Sequence, residues 1–470
     1  LIVRNLKGLS LITIDSNPEE NSNTDGTNYI VIGKNELSDI VTQIVDSNFQ
    51  NIGEGNIERI KDFSQGIPFM AVLLGESVKN GEQFIGKLDD KDLLDKLLGT
   101  KGKEQEWRNI LKSCSMFSYF GFENELESQY KFLATNQNIT ISNNTEQVRI
   151  STFLEVVKHF KAREIFEKQG RYLSIRPFPL SMALAVEWLD TCTSDRMLQV
   201  IVDISNLEEP HRKHLINSLA EQMKYLGYND KAVQIVEKIT GPNSPFDDAE
   251  VLNTELGSRL FRSFVEVNPI AVSQNFKRQF FNKSTEELLK IKAGRRNIIW
   301  TLEKMCFDKR TFSDSAKVLL QFAIAENETW ANNATSQFLH LFNIHLSGTE
   351  AVLEERWKII DWLLNKGDKA YYDFALRAMK VGLNFGHASR MGGAEQQGSK
   401  RLIDNNPTWK EIEEYWGNIL NKLLEIIKSK NEYSDLASEA IANCTRTMFH
   451  IGMGKLILPY LKEISELKNN

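Results

Sequence analysis

The stretch 57–76, IERIKDFSQGIPFMAVLLGE, sets up a helical pattern, breaks it at Gly66-Ile67-Pro68 and resumes at once with an apolar run. Glycine reaches backbone conformations closed to other residues, and proline fixes φ and removes an N–H. The triplet therefore reads as a turn of the kind that lines a nucleotide pocket, or more plainly as a proline-kinked helix. Upstream, the apolar run LSLITID at 9–15 ends in Asp15-Ser16-Asn17, where Ser or Asn could donate a hydrogen bond and Asp15 could not unless protonated. Downstream, Arg176 in RYLSIRPFPLSMALAVEWL is a cation that could pair with a phosphate, its plainer reading being an arginine facing water.

Other residues look chemical and are dismissed. Gly393-Ala-Glu-Gln-Gln-Gly398-Ser399-Lys400 imitates a phosphate loop, but its Lys and Ser are in the wrong order, and no buried strand leads into it. It reads as a flexible loop between helices. With no acidic Walker B pair after a suitable strand, the chain should not hydrolyse ATP alone. His340 and His345 lie five apart, whereas a metal pair on one helix face prefers four, and the four cysteines show neither a CxxC pair nor a His at metal spacing. Asn138, Asn282 and Asn333 open Asn-x-Ser/Thr triplets that read as chance matches in an Asn-rich chain.

These residues need elements to hold them. The composition, 41% hydrophobic and 26% charged over 470 residues, is that of a globular chain rich in helix formers. A net charge of −6 gives no general field favouring nucleic acid or anionic membrane, and no apolar run approaches bilayer length. The short cluster Lys290, Lys292, Arg295 and Arg296 reads as a solvated helix end. The run 9–15 has the pattern of a strand covered on both faces, and 29–32 that of a second, short strand. Helices follow at 35–47, where Leu37, Ile40, Val41 and Ile44 share a face, at 57–66, and at 88–98.

From Trp107 onward the order becomes helix, helix, strand, helix. Phe153, Val157, Phe160 and Phe166 keep helical spacing through 150–169, with Gly170 as the stop, then a strand at 172–175 and, after Pro177 and Pro179, a helix at 180–191. Helices closing on a short β-wing make a winged-helix arrangement. Beyond Thr193 almost everything reads as helix: a hairpin at 206–239 interrupted near Gly227, a linker at Gly241-Pro-Asn-Ser-Pro245, and capping boxes at Ser284…Glu287 and Thr408…Glu411. Helix starts at 314–326, 330–346, 350–364 and 369–383 recur about every twenty residues, near the helix-pair spacing of HEAT-like solenoids. The last apolar helix, 456–467, lacks a polar cap.

Over residues 1–190, the order of elements and the two signatures QGIPFMAVLL and RYLSIRPFPLSMALAVEWL resemble the STAND class of signal-transduction ATPases, which includes NB-ARC and NACHT proteins. The run FAIAENETWANNATSQFLHLFNIHLSGTE at 322–350 resembles, more weakly, the helical C-terminal regions of large bacterial members. Read physically, its Trp330, Phe338, Leu341 and Phe342 pack between helices, and Asn332-Asn333 cap a turn or bridge repeats. The resemblance implies that Pro68 lies against the adenine ring, that Gly66 permits the close turn, and that Asp15 and Ser16 stand at the sensor of the γ-phosphate. A His that often reaches the β-phosphate in that family has no counterpart here, and Arg176 is the nearest candidate.

The expected fold is thus mainly α. Residues 1–55 would form the rear of a P-loop NTPase domain, 56–106 a helical lid with the Gly-Ile-Pro turn, 107–192 a winged helix, and 193–470 a HEAT/TPR-like array for sensing or scaffolding. The chain opens at Leu1, inside an apolar segment, and is expected to be a fragment of a cytoplasmic bacterial ATPase. ATP or ADP with Mg would bind the intact parent, which would self-associate, and a protein trigger would bind the array, in a role that could be antiviral defence. The rival reading is a nucleotide-independent scaffold that binds partner proteins. A DNA-reading regulator is disfavoured because Lys158, Lys161, Arg163 and Lys168 alternate with Glu155, Glu164 and Glu167.

Overall fold

In the computed structural model, which describes residues 34–80, 98–385 and 403–469, the amphipathic pattern of the chain becomes helix almost throughout. The expected strands at 9–15 and 29–32, Asp15 and Ser16, the body of the helix at 88–98 and the loop at 393–400 lie outside the described residues. Two units are distinguished: Leu1–Cys192 with Gln199–Gln222, and Thr193–Leu198 with Met223–Asn470.

In the first unit, α1 (Lys34–Asn48) turns through a single 3-10 turn into α2 (Glu54–Ser64), which is followed by α3 (Pro68–Lys79). Val41 and Val45 form the buried side of α1, with buried Phe49 just past its end, while Ile40, expected there, is exposed. The junction of α2 and α3 has the expected break. Gln65 and Gly66 take left-handed conformations, φ 50° and 80°, Ile67 is extended, and Pro68 begins α3 where its missing N–H costs nothing.

Next come α4 (Gln105–Ser115), β1 (Phe120–Gly121), α5 (Glu127–Thr135), α6 (Glu146–Ala162), β2 (Phe166–Gln169), β3 (Tyr172–Ile175) and α7 (Phe178–Asp190). The sheet is antiparallel in the order β1-β3-β2, with Phe166 opposite Ile175 and Gln169 opposite Tyr172. The helix expected over 150–169 therefore stops at Ala162. Glu164, at φ 59°, ends it without a glycine, and the next residues run extended into a hairpin that turns at Gly170, φ 61°. Phe166 is buried as its spacing suggested, packed edge-on to Phe120, but from a strand. The unit closes with α8 (Ser194–Ser205), whose first residues belong to the second unit, and α9 (His211–Met223). Asp203 on α8 accepts hydrogen bonds from Asn136 at 2.8 Å, Asn138 at 2.9 Å and Gln199 at 2.7 Å. Burial raises its pKa, but the three amides outweigh this and hold it below the usual carboxylate value.

The second unit is an α-helical array. Its helices are α10 (Asp230–Thr240), α11 (Ala249–Leu252), α12 (Glu255–Val267), α13 (Pro269–Phe280), α14 (Thr285–Leu289), α15 (Arg295–Phe307), α16 (Phe312–Ile324), α17 (Ala334–His340), α18 (Leu353–Leu364), α19 (Lys369–Gly382), α20 (Trp409–Lys428), α21 (Ser434–His450) and α22 (Gly454–Asn469). They fall into two rows. In one, α10, α13, α16, α18, α20 and α22 each touch the next; in the other, α12 packs on α15, and α17 on α19 on α21. Helices also pair across the rows, as α12 with α13 and α15 with α16.

Both capping boxes form as read: Ser284 caps α14 with Glu287 returning the bond, and Thr408 caps α20 with Glu411. Two expectations need correction. The linker at 241–245 lies inside one unit and is a largely exposed turn pinned at its ends, because Asn275 donates to the carbonyls of Thr240 and Phe246 at 2.9 and 3.0 Å, and Arg278 donates to Thr240 as well. The helix expected over 330–346 shrinks to α17. Asn333 caps it by accepting from Ser336, and the chain leaves it toward Leu346 at φ 51°. Phe338, Leu341 and Phe342 enter the core as expected, whereas Trp330 stays half-buried. Among the described residues, no helix is long and apolar enough to cross a membrane.

Candidate functional site

The turn between α2 and α3 is positioned by its neighbours in the first unit. Gln65, immediately before Gly66, accepts the backbone N–H of Phe178 on its side-chain carbonyl at 2.9 Å. Phe178 is the first residue of α7, so this N–H is one of the donors that no intrahelical carbonyl can satisfy. The Phe63 and Phe178 rings stack beside it, centroids 4.3 Å apart. The two segments singled out from sequence, QGIP and RPFP, are thus joined through Gln65 and, two residues ahead of it, Phe63.

Around this junction, Pro68 is half-buried and Phe69 next to it is 53% exposed. Arg176 lies two residues before Phe178, its backbone N–H donating to the carbonyl of Ile165 at 2.8 Å. Its Nε donates to Glu167 on β2 at 3.1 Å, and both side chains are about a third exposed. The guanidinium keeps open donor edges that an anionic group could take, though an approaching phosphate would also meet the Glu167 carboxylate. Asp15 and Ser16 are outside the described residues; of the candidate residues the structure describes Gly66, Pro68 and Arg176, with Gln65, Phe63 and Glu167 beside them. These neighbours carried little signal in the sequence: Gln65 reads as an ordinary helix terminus, and Glu167 was assigned to a helix.

In the second unit Arg295, from the cluster read as a solvated helix end, does structural work, as do Arg356 and Lys304. Arg295 is buried, donating to the carbonyls of Leu288 at 3.0 Å, Phe322 at 3.2 Å and Ala325 at 2.6 Å, with Glu326 3.7 Å away. The cluster 290–296 is therefore no simple solvated helix end. Arg356 is likewise enclosed, bonded to the carbonyls of Ala351 and Asn343 and to Asn405, and burial lowers its pKa to about 10 against the opposing pull of Tyr415 and Asp404. Lys304 forms a buried ion pair with Glu266 at 2.9 Å and donates to the carbonyl of Arg262 at 2.8 Å. A recess among Glu303, Leu319, Gln337, His340, Leu341, Ser347 and Gly348 has room for about one water, far below the usual size of a small-ligand cavity.

Set beside known proteins, the chain matches no family model, no curated protein and no solved structure.

Proposed function

We propose that the chain is part of a nucleotide-controlled switch of the STAND type, in which the α2–α3 turn and the segment around Arg176 face a bound ADP and the array receives a protein trigger. The observation that carries this reading is the junction of Gln65 with Phe178: two segments 113 residues apart in sequence, each resembling a nucleotide-pocket signature, lie side by side. The connectivity of the second segment supports it too. Helix, strand, two helices and a hairpin, with the sheet order β1-β3-β2, is an order compatible with the proposed winged helix. In this reading ADP holds the winged helix against the turn, and trigger binding shifts the population toward an open ATP form that self-associates.

The test is to express the whole open reading frame around this chain and measure ADP that copurifies or exchanges with a fluorescent analogue. Pro68→Ala and Arg176→Ala are expected to weaken ADP retention by roughly tenfold each while leaving helix content unchanged. An open reading frame with no phosphate-binding loop upstream, or one that retains no nucleotide, would sink the switch. That outcome would leave the second reading, a nucleotide-independent helical scaffold, which the engagement of Arg176 by Glu167 favours.

A further inference from the structure

Gln129 on α5 is fully buried, and both ends of its amide are engaged. Its Oε1 accepts the backbone N–H of Gly121 on β1 at 2.8 Å, which fixes the orientation of the amide. Its Nε2 therefore turns toward α9, where it lies 3.3 Å from Nδ1 of His211 and 3.2 Å from Nδ1 of His214. An amide nitrogen only donates, so both imidazoles accept at Nδ1, and a ring that accepts there is neutral with its proton on Nε2. The two histidines are half-buried and three residues apart, on one face of α9. Tyr172 on β3 completes the cluster, its hydroxyl 3.3 Å from Nδ1 of His214 and its ring edge-on to the imidazole. Ser128 of α5 stands beside His211, its Oγ 3.2 Å from Nδ1 and 3.1 Å from Nε2.

A proton added at Nδ1 of His214 sets one N–H against another. The ring can then turn to the Tyr172 oxygen, but the buried amide loses an acceptor, and an unmet buried donor costs more than an ordinary hydrogen bond returns. The new charge also falls in the first turn of α9, where the helix dipole opposes a cation. The charges around it give little relief. Lys213 repels a positive ring, as does any charge on His211, while Glu209 attracts it but is held by Arg212 at 2.9 Å. On α5, Glu127 and Lys131 pair with each other at 2.8 Å, and from β3 the facing group is the Tyr172 hydroxyl. Burial first, and then the neighbouring His211, hold the His214 pKa below its ordinary value.

We propose that the pairing of His211 and His214 with Gln129 is an acid-released latch: the neutral rings dock the start of α9 on α5 and the sheet, and protonation at Nδ1 frees them from the amide. Further along α9 the fastenings are neutral. Ser218 accepts the backbone N–H of Tyr119 at 2.9 Å, and Gln222 donates to Ser181 at 2.9 Å, so release is confined to the first turns. The chain passes from the first unit to the second at the end of this helix, after Gln222, so the latch acts on the helix that leads into the array. Because the folded pKa of His214 is depressed, the stability it contributes is complete above the unfolded value, about 6.5, and is lost as pH falls through the folded one. The latch needs no nucleotide and stands if the switch reading fails.

The experiment is to label the histidines of the full chain with carbon-13 and nitrogen-15, follow their rings by NMR from about pH 7.5 to about pH 5, and measure amide exchange along α9 over the same range. The signals of His211 and His214 are assigned by their loss in His211→Asn and His214→Asn. Both rings are expected as the Nε2–H tautomer at neutral pH, with His214 titrating below free imidazole-ring model peptide. Exchange at the start of α9, corrected for the intrinsic effect of pH, should rise roughly fivefold or more as His214 protonates, while the amides around Ser218 change little. His214→Asn supplies an acceptor near the Nδ1 position that does not titrate, and should keep the protection and flatten its pH dependence. Gln129→Glu still accepts from Gly121 and also attracts an imidazolium, so protection there should rise as pH falls; if that variant does not fold, the tautomers and His214→Asn decide. An Nδ1–H tautomer at either ring, titration of His214 at or above the ordinary value, or an unchanged pH dependence in His214→Asn would each overturn the proposal.

Discussion

The side-chain carbonyl of Gln65 accepts the N–H of Phe178 at 2.9 Å, so the helix at the end of one segment caps the helix at the start of another. Gln65→Gly keeps the left-handed conformation but removes the acceptor, and is expected to destabilise the first unit by about 1 kcal/mol. The measurement is amide hydrogen exchange at Phe178. Exchange there should accelerate in the variant while the amides of α1 stay protected, and unchanged protection would show that the contact carries no load.

Arg295 and Arg296 are neighbours with opposite fates. Arg295→Met would strand three buried carbonyls and should cost about 3 kcal/mol, whereas Arg296→Met, at an exposed position, should stay within about 0.5 kcal/mol. Urea unfolding of the two variants distinguishes them, and comparable losses would refute the assignment of Arg295 as the structural cation.

The ion pair of Lys304 with Glu266 is buried on both sides. Lys304→Met leaves the carboxylate without its partner and should cost about 3 kcal/mol or more, while Lys304→Met/Glu266→Leu should regain most of that stability. A double variant as unstable as the single one would mean that Lys304 acts mainly through its hydrogen bond to the Arg262 carbonyl.

The capping box of α20 makes that helix sensitive to acid. The Glu411 carboxylate is held below its ordinary value first by the backbone N–H of Thr408 and then by the Thr408 hydroxyl. A group whose folded pKa is depressed contributes its full stability above the unfolded value and loses it as pH falls through the folded one. Exchange at the start of α20 should therefore rise as the pH drops below about 4. Thr408→Ala should bring the loosening to neutral pH at a cost of about 1 kcal/mol, and Glu411→Gln should abolish the acid dependence.

Much of the helical skeleton was legible because its signals are local. Ser284…Glu287, Thr408…Glu411 and Gly66-Ile67-Pro68 each mark a helix end through their own hydrogen bonds or backbone freedom, and the structure places helix ends there. The β-hairpin was missed because Phe166 preserves the period of Phe153, Val157 and Phe160, while the residue that ends the helix, Glu164, is not a type that announces a left-handed turn. The burial of Arg295 and the pinning of the ends of 241–245 were illegible for a different reason. Both depend on partners far along the chain, the carbonyls of Phe322 and Ala325 in one case and Asn275 in the other. Of the candidate site, the turn could be read locally; its union with Phe178 spans 113 residues and could not.

The two-row packing of the second unit also governs how it comes apart. Each helix leans on partners across the rows as well as on neighbours along them, so cohesion is summed link by link, as in a one-dimensional lattice. Ile457 is the one fully buried side chain among those described on α22, so that helix adds little apolar burial to the array. Heat or denaturant should therefore loosen α22 before any collective melting of α12 and α15, with the loss of protection measured residue by residue.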